Sequence, residues 1–200
     1  MPLRDLSHPA ADSAPPSRSS DDELFRALRA GSRAAFDTLF RSYYPRLVAT
    51  AQMIVGERAV AEELAQDVML ELWRRRTALV LESTLAAYLH RSARNRALNH
   101  VRHERVTRQA EPELTAAAAS PASPERELRQ AEIDAAVRAA VASLPPRCRE
   151  VFELSRGQGL RYAEIASAMD ISVKTVEAQM AKALRVLRER LAPWLPDTEV

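Results

Sequence analysis

From Thr115 to Pro124 the chain reads Thr-Ala-Ala-Ala-Ala-Ser-Pro-Ala-Ser-Pro, and no large apolar residue follows Leu114 until Leu128. Such a tract has nothing to bury, so one packed core cannot run through it. Residues 107–127 therefore read as a flexible linker that divides the chain into two folding pieces, 21–106 and 128–192. Each piece is small enough to be only modestly stable alone. Residues 1–20, with Pro2, Pro9, Pro15 and Pro16, read as a disordered leader, and 193–200 as a tail that opens on Pro193.

Both pieces are expected to be helical. Four glycines and 5% aromatics leave little material for hairpins or sheet faces, while alanine and arginine are abundant. A first helix starts at the acids Asp21, Asp22 and Glu23, and ends at Gly31. A second begins near Ser32, with Phe36, Leu39, Phe40, Tyr43, Leu47 and Val48 at helical spacing, and Pro45 is expected to kink or interrupt it unless neighbouring structure accommodates the lost bond. A third runs from about Glu57 to Arg76, its core face carrying Ala61, Leu64, Ala65, Val68 and Leu72. Glu63, Gln66, Asp67, Leu70 and Trp73 lie beside or opposite that face. After a loop at 77–84, a fourth helix turns Leu85, Tyr88, Leu89, Ala93, Ala97, Leu98 and Val101 inward and its arginines outward. In the second piece, helices are interrupted at Leu144-Pro145-Pro146 and at Gly157-Gln158-Gly159.

The formal net charge of +2 hides a segregation of charge. Between Glu57 and Glu71 the acids Glu57, Glu62, Glu63, Asp67 and Glu71 face one base, Arg58. Between Arg91 and Arg108 the arginines 91, 94, 96, 102, 105 and 108 face Glu104 alone, with His90, His100 and His103 interleaved. An acidic helix followed by a basic one fits two different partners, the basic one suited to phosphate. The histidines have no cysteine or carboxylate support for a metal and read as auxiliary backbone contacts or, for His103, solvated surface. The single cysteine, Cys148, excludes an internal disulfide and reads as buried structure. No apolar run approaches the length of a membrane span, and the N-terminus has no apolar signal-peptide core. The chain is expected to be soluble and cytoplasmic.

Tyr162 to Ala181, YAEIASAMDISVKTVEAQMA, has the layout of a helix-turn-helix. Ala166 sits at the helix crossing, where only a small side chain fits, and Ile165, Met169, Ile171 and Val176 are the locking apolar positions. Asp170 occupies the turn, where glycine is commonest and Asp tolerates left-handed backbone. Ser172 is a natural N-cap. The second helix then presents Lys174, Thr175, Glu177, Ala178, Gln179 and Lys182 outward, a set able to bond base edges and phosphates or to meet a thymine methyl.

With these residues in view, LPPRCREVFELSRGQGLRYAEIASAMDISVKTVEAQMAKALRVLRERL resembles the C-terminal DNA-binding domain of the extracytoplasmic-function sigma factors of bacterial RNA polymerase. The first piece resembles the same family independently. AFDTLFRSYYPRLVATAQMIVGERAVAEELAQDVMLELWRR is similar to its core-binding region and YLHRSARNRALNHVRHER to its promoter-melting helix. The likeness spans roughly Asp21 to Leu191, making 21–106 the counterpart of sigma region 2 and 128–192 that of region 4.

The resemblance implies that the third helix docks on core polymerase, with the family's acidic-x-x-Gln-acidic pattern on Glu63, Gln66 and Asp67, and Leu70 and Trp73 as apolar anchors. It implies that Arg94, Asn95, Asn99, Arg102 and Arg105 face the minus-ten strand, with Asn99 where family members often carry Asp. The loop from Arg76 to Thr84 is then the segment that captures a flipped base. Ser172, Lys174, Thr175, Glu177, Ala178, Gln179 and Lys182 fall at the minus-thirty-five element. An anti-sigma partner, in this family often membrane-bound, is implied as well. No cofactor and no metal is implied, and no catalysis: the sequence has no P-loop, dinucleotide fingerprint, nucleophile elbow or HExxH. The alternatives are a helix-turn-helix regulator that acts without being a polymerase subunit, and a helical adaptor that binds no promoter. The first piece lacks the alternating strands of a receiver domain, and the basic helices disfavour an adaptor.

Overall fold

The computed structural model describes residues 18–107 and 126–194, with side-chain environments from 20 to 104 and from 132 to 194. The leader 1–20 falls outside the described residues up to Ser17, as do 108–125 of the linker and 195–200 of the tail. Among the described residues there are eight α-helices and no strand: α1 (Arg18–Arg29), α2 (Arg33–Val55), α3 (Arg58–Arg75), α4 (Leu85–Thr107), α5 (Arg126–Ala142), α6 (Pro146–Arg156), α7 (Tyr162–Met169) and α8 (Val173–Leu191), followed by a 3-10 turn. The expected all-α architecture is the one observed. Two margins of the linker are helical, Thr107 closing α4 and Arg126 opening α5.

In the first domain α2 packs against both α3 and α4, and α1 lies across α2. Leu28, Leu39, Tyr43, Leu47, Val68, Met69, Leu72, Leu85 and Leu89 form one buried cluster with small alanines between them. The alanines at 61, 65, 93 and 97 let α3 and α4 approach closely. Ser32 caps α2 by accepting from the Ala35 amide at 3.2 Å, and Gly56 ends it with φ of 81°, a backbone few other residues adopt.

Pro45 does not break α2, which is continuous over 23 residues. The reason lies in where the ring points. The buried positions of α2 (Leu39, Tyr43, Leu47, Ala51) recur one turn apart, and Pro45 falls on the exposed side. Packing against α3 and α4 on the other side keeps the helix continuous through one missing bond. The first helix also begins earlier than its acids suggest, at Arg18.

Asp21 in the first turn of α1 accepts a hydrogen bond of 2.5 Å from the Tyr43 hydroxyl, both groups being buried. Burial raises the Asp21 carboxyl above its ordinary range, against the opposing effect of that hydrogen bond, and raises the Tyr43 phenol as well. The pair ties α1 to α2.

The second domain has two adjoining clusters. Val151, Leu154, Leu160, Ile165, Ala168, Met169, Val176 and Met180 join α6, α7 and α8. Ala140, Leu144, Cys148, Ala183 and Leu187 join α5, α6 and the far half of α8. Pro146 stands at the first position of α6, where the missing amide costs nothing. The domains meet along α4 and α7.

Candidate nucleic-acid and partner interfaces

The helix-turn-helix is built as its residues require. Ala166 is buried at the α7–α8 crossing, with Ile165, Met169 and Val176 locked beneath it and Ile171 half-buried at the turn. Asp170 is left-handed at φ 57°, the single non-glycine residue of positive φ among the described residues. The Ser172 hydroxyl accepts from the Thr175 amide at 3.0 Å and lies 2.8 Å from the Thr175 hydroxyl, capping α8. Lys174, Thr175, Glu177, Ala178 and Lys182 are exposed on one side of α8. Gln179 is half-buried, and its side-chain carbonyl accepts from the Cys148 thiol at 3.0 Å. Cys148 itself is buried, so this contact links α6 to the outward helix.

On α3, Glu63, Gln66, Asp67 and Leu70 are exposed, and Leu70 is one of few large apolar side chains left in solvent. Trp73 is half-buried, its ring 5.2 Å from that of Phe36 and 4.1 Å beneath the Arg76 guanidinium. It is thus held by stacking and by a cation–π contact. Two half-buried aromatic residues of α2 that pack against the core, Phe40 from the periodic set and Tyr44 beside it, also border this surface. Phe40 and Tyr44 stack at 4.7 Å, and Gln66 donates to the Tyr44 hydroxyl at 3.3 Å. Asp67 accepts from Arg96 of α4 at 3.3 Å, so the acidic and basic helices are coupled.

On α4, Asn95, Asn99 and Arg102 are exposed, with Arg102 donating to the Asn99 carbonyl at 3.1 Å. Arg105 lies on the same helix, and its side chain falls outside the described residues. Arg94 departs from the expectation that the arginines point outward. It is buried against the second domain, where its Nε donates to Glu150 at 2.5 Å. His90 is also no surface contact. It is fully buried, with Nδ1 2.8 Å from the Thr50 hydroxyl, and burial lowers its pKa to about 3. Because Thr50 already donates to the Arg46 carbonyl, Nδ1 carries the proton and Nε2 is left as an unpaired acceptor. His100 lies 3.8 Å from Glu104, and His103 is exposed.

The loop between α3 and α4 is anchored at both ends. Arg76 donates to the Trp73 carbonyl at 2.7 Å, Leu79 is buried, and the Thr84 hydroxyl accepts from the Ala87 amide at 3.2 Å to cap α4. Val80 at its crest is 80% exposed.

Residues 39–107 match the family model for sigma-70 region 2, and residues 134–187 match the model for sigma-70, region 4. The two matches occur in order, on the two domains seen in the fold. Across 185 residues the chain is 28% identical to the RNA polymerase sigma-H factor of Pseudomonas aeruginosa, covering 88% of this chain and 95% of that protein. Across 187 residues it is 29% identical to the ECF RNA polymerase sigma factor SigK of Mycobacterium tuberculosis, covering 88% and 97%. The chain belongs to the extracytoplasmic-function sigma factors.

Two solved structures share the fold of this sigma factor. CnrH in complex with the cytosolic domain of CnrY aligns over 87% of this chain and 98% of that one, with a TM-score of 0.60 and 21% identity. RpoE in complex with the anti-sigma factor NepR from Bartonella quintana aligns over 78% and 96%, with a TM-score of 0.61 and 22% identity. Sigma factors are non-catalytic initiation factors that direct RNA polymerase to promoters. No described helix of this one is long and apolar enough to cross a membrane. What sequence reasoning missed are the second-domain acids that meet α4, Glu150 and Glu164, because nothing local marks them.

Proposed function

We propose that this sigma factor binds core RNA polymerase through Glu63, Gln66, Asp67, Leu70 and Trp73, and reads promoters through α4 and α8. Arg94, Asn95, Asn99, Arg102 and Arg105 serve the minus-ten strand, and Ser172, Lys174, Thr175, Glu177, Ala178, Gln179 and Lys182 the minus-thirty-five element. Region 2 spans 21–106 and region 4 spans 128–192, joined by 107–127 and flanked by a leader and a tail. The observation that carries this is the pairing, in one chain, of an acidic α3 surface bearing an exposed Leu70 with a separately capped helix exposing Lys174 and Lys182.

The chemistry follows from the charges. Carboxylates on α3 suit a basic helical partner, and Leu70 supplies apolar contact at the centre of that surface. Asp67 exchanges Arg96 for a base of the partner, which frees Arg96 beside the DNA-facing side of α4. On α8, Lys174 and Lys182 neutralise phosphates while Thr175, Glu177 and Gln179 reach base edges. No step requires this chain to make or break a covalent bond. We place the protein in the cytoplasm with polymerase, and assign it an anti-sigma partner, as RpoE has in its complex with NepR.

The test is reconstitution with core polymerase and run-off transcription on a fragmented genomic library, in parallel with a Gln66→Ala/Asp67→Ala variant. Both side chains are exposed, so the variant folds. Initiation from a defined promoter set, lost in the variant, is expected. DNA binding with neither core binding nor initiation overturns the reading in favour of a free-standing helix-turn-helix regulator.

A further inference from the structure

Among the described residues the buried thiol of Cys148 makes one polar contact, and that contact is to the reading helix. Cys148 is fully buried against the side chains of Ala140, Leu144, Ala183 and Leu187, all of them hydrocarbon. Its thiol donates to Gln179 Oε1 at 3.0 Å, joining α6 to α8. In such surroundings no water competes for the bond, and a weak donor can still hold its acceptor. Gln179 is half-buried, with the exposed Thr175 four residues before it and the exposed Lys182 three residues after. These are its neighbours on the helix surface, so Gln179 stands at the edge of the outward side of α8.

A glutamine amide carries its acceptor oxygen and its two N–H donors on opposite limbs of one planar group. An oxygen turned toward a fully buried thiol turns the nitrogen away from the interior, and no described residue accepts from Nε2. The reverse placement, nitrogen on sulfur, is poorer chemistry. Sulfur is a weak acceptor, and the thiol proton would be left in hydrocarbon without a partner.

We propose that Cys148 is a positioning residue for promoter readout, committing the Gln179 carbonyl to the interior so that Gln179 meets the minus-thirty-five bases as a donor only. The inference rests on the assignment of α8 to that element. A free glutamine pairs with adenine through both limbs, accepting from N6 and donating to N7. Gln179 held by the thiol has only the second of these bonds to give. Guanine N7 or O6, thymine O4 and adenine N7 can all receive it, whereas cytosine offers the major groove a donor and no acceptor. Gln179 therefore rejects cytosine without singling out adenine, and a side chain that never touches DNA sets that choice.

The test uses the full chain with core polymerase, on a promoter from the run-off set in which each minus-thirty-five base pair is varied in turn. Gln179→Ala locates the pair that Gln179 reads, because discrimination flattens there alone. At that pair the unmodified protein is expected to initiate about tenfold less on cytosine than on the other bases, and to treat adenine and guanine alike to within about twofold. Cys148→Ala frees both limbs and should move the adenine-to-guanine ratio about tenfold toward adenine. Cys148→Ser still donates and should keep the unmodified profile. Each comparison is a ratio within one variant, so any loss of folded protein cancels. The positioning role is overturned if Cys148→Ala keeps the unmodified profile, if Cys148→Ser follows Cys148→Ala, if the unmodified protein prefers cytosine or adenine, or if Gln179→Ala alters no pair. Initiation indifferent to the whole element would instead strike the assignment of α8 to the promoter.

Discussion

Replacing Asp170 by glycine should stabilise the protein, although it removes a charged side chain from the turn of the DNA-reading motif. Asp170 holds φ at 57° between α7 and α8. For an L-residue that conformation costs about 1–2 kcal/mol, at the low end for Asp, and glycine adopts it freely. The contact that glycine gives up is slight, since Asp170 is 4.0 Å from Arg91 with side chains 87% and 43% exposed. Glycine's larger unfolded-state entropy offsets part of the relief, leaving a net gain of about 0.5 kcal/mol. Alanine keeps the backbone cost without the short polar side chain that eases it, and loses about 1 kcal/mol. The gap between the two variants, about 1.5 kcal/mol, corresponds to about 3–6 °C in Tm for a chain of this length. Thermal unfolding followed by circular dichroism measures it. If glycine and alanine destabilise equally, the carboxylate rather than the backbone conformation holds the turn, and the reasoning is refuted.

Other consequences can be checked in the same preparations. Tyr43→Phe leaves the buried Asp21 carboxyl without its donor and should cost about 1–3 kcal/mol in urea unfolding; a loss below 0.5 kcal/mol, on the order of an exposed substitution, would contradict burial of the pair. His90 stays neutral when folded down to about pH 3, while the unfolded chain protonates it near 6.5, so its contribution is intact above pH 6.5 and is lost as pH falls toward 3. His90→Asn should flatten that acid limb, measured as the unfolding midpoint between pH 7 and 4. Ser172→Ala should lower stability by about 1 kcal/mol through loss of the α8 cap, seen as an earlier denaturant midpoint. Lys182→Ala should weaken promoter binding and reduce its salt slope by about one, measured by anisotropy titration across salt concentrations; an unchanged slope removes Lys182 from the phosphate contacts.

The helical class and the helix-turn-helix layout of α7 and α8 were legible, because each rests on local chemistry. Ala166, Asp170 and Ser172 do their work within a few residues of themselves, so spacing alone reveals them. Pro45 shows the limit: its effect depends on which side of α2 faces the core, and on α3 and α4 holding the other side. His90 and Arg94 show a second limit. Both sit in a basic run whose composition suggests solvent, yet His90 is enclosed by α2 and Arg94 by a carboxylate 56 residues away. Phe40 and Tyr44 were readable as helical but not as bordering the α3 surface, since i to i+4 spacing cannot tell a core stripe from its edge.

The two oxygens of Glu164 have separate employments. Oε2 accepts from the Arg161 amide at 2.9 Å at the start of α7, while Oε1 accepts from the Thr84 hydroxyl of the other domain. Thr84 in turn caps α4 with its lone pair rather than its proton. Each of these two bonds is therefore made without the neighbouring domain, and parting the domains there exchanges two hydroxyl contacts, Thr84 with Glu164 and Ser167 with Ser83, for water. Neither helix has to fray for the protein to open. Relative motion of the domains at this point therefore asks for a change of hydrogen-bond partner rather than for a rearrangement of secondary structure, and belongs with domain motions of microseconds to milliseconds rather than with local unfolding.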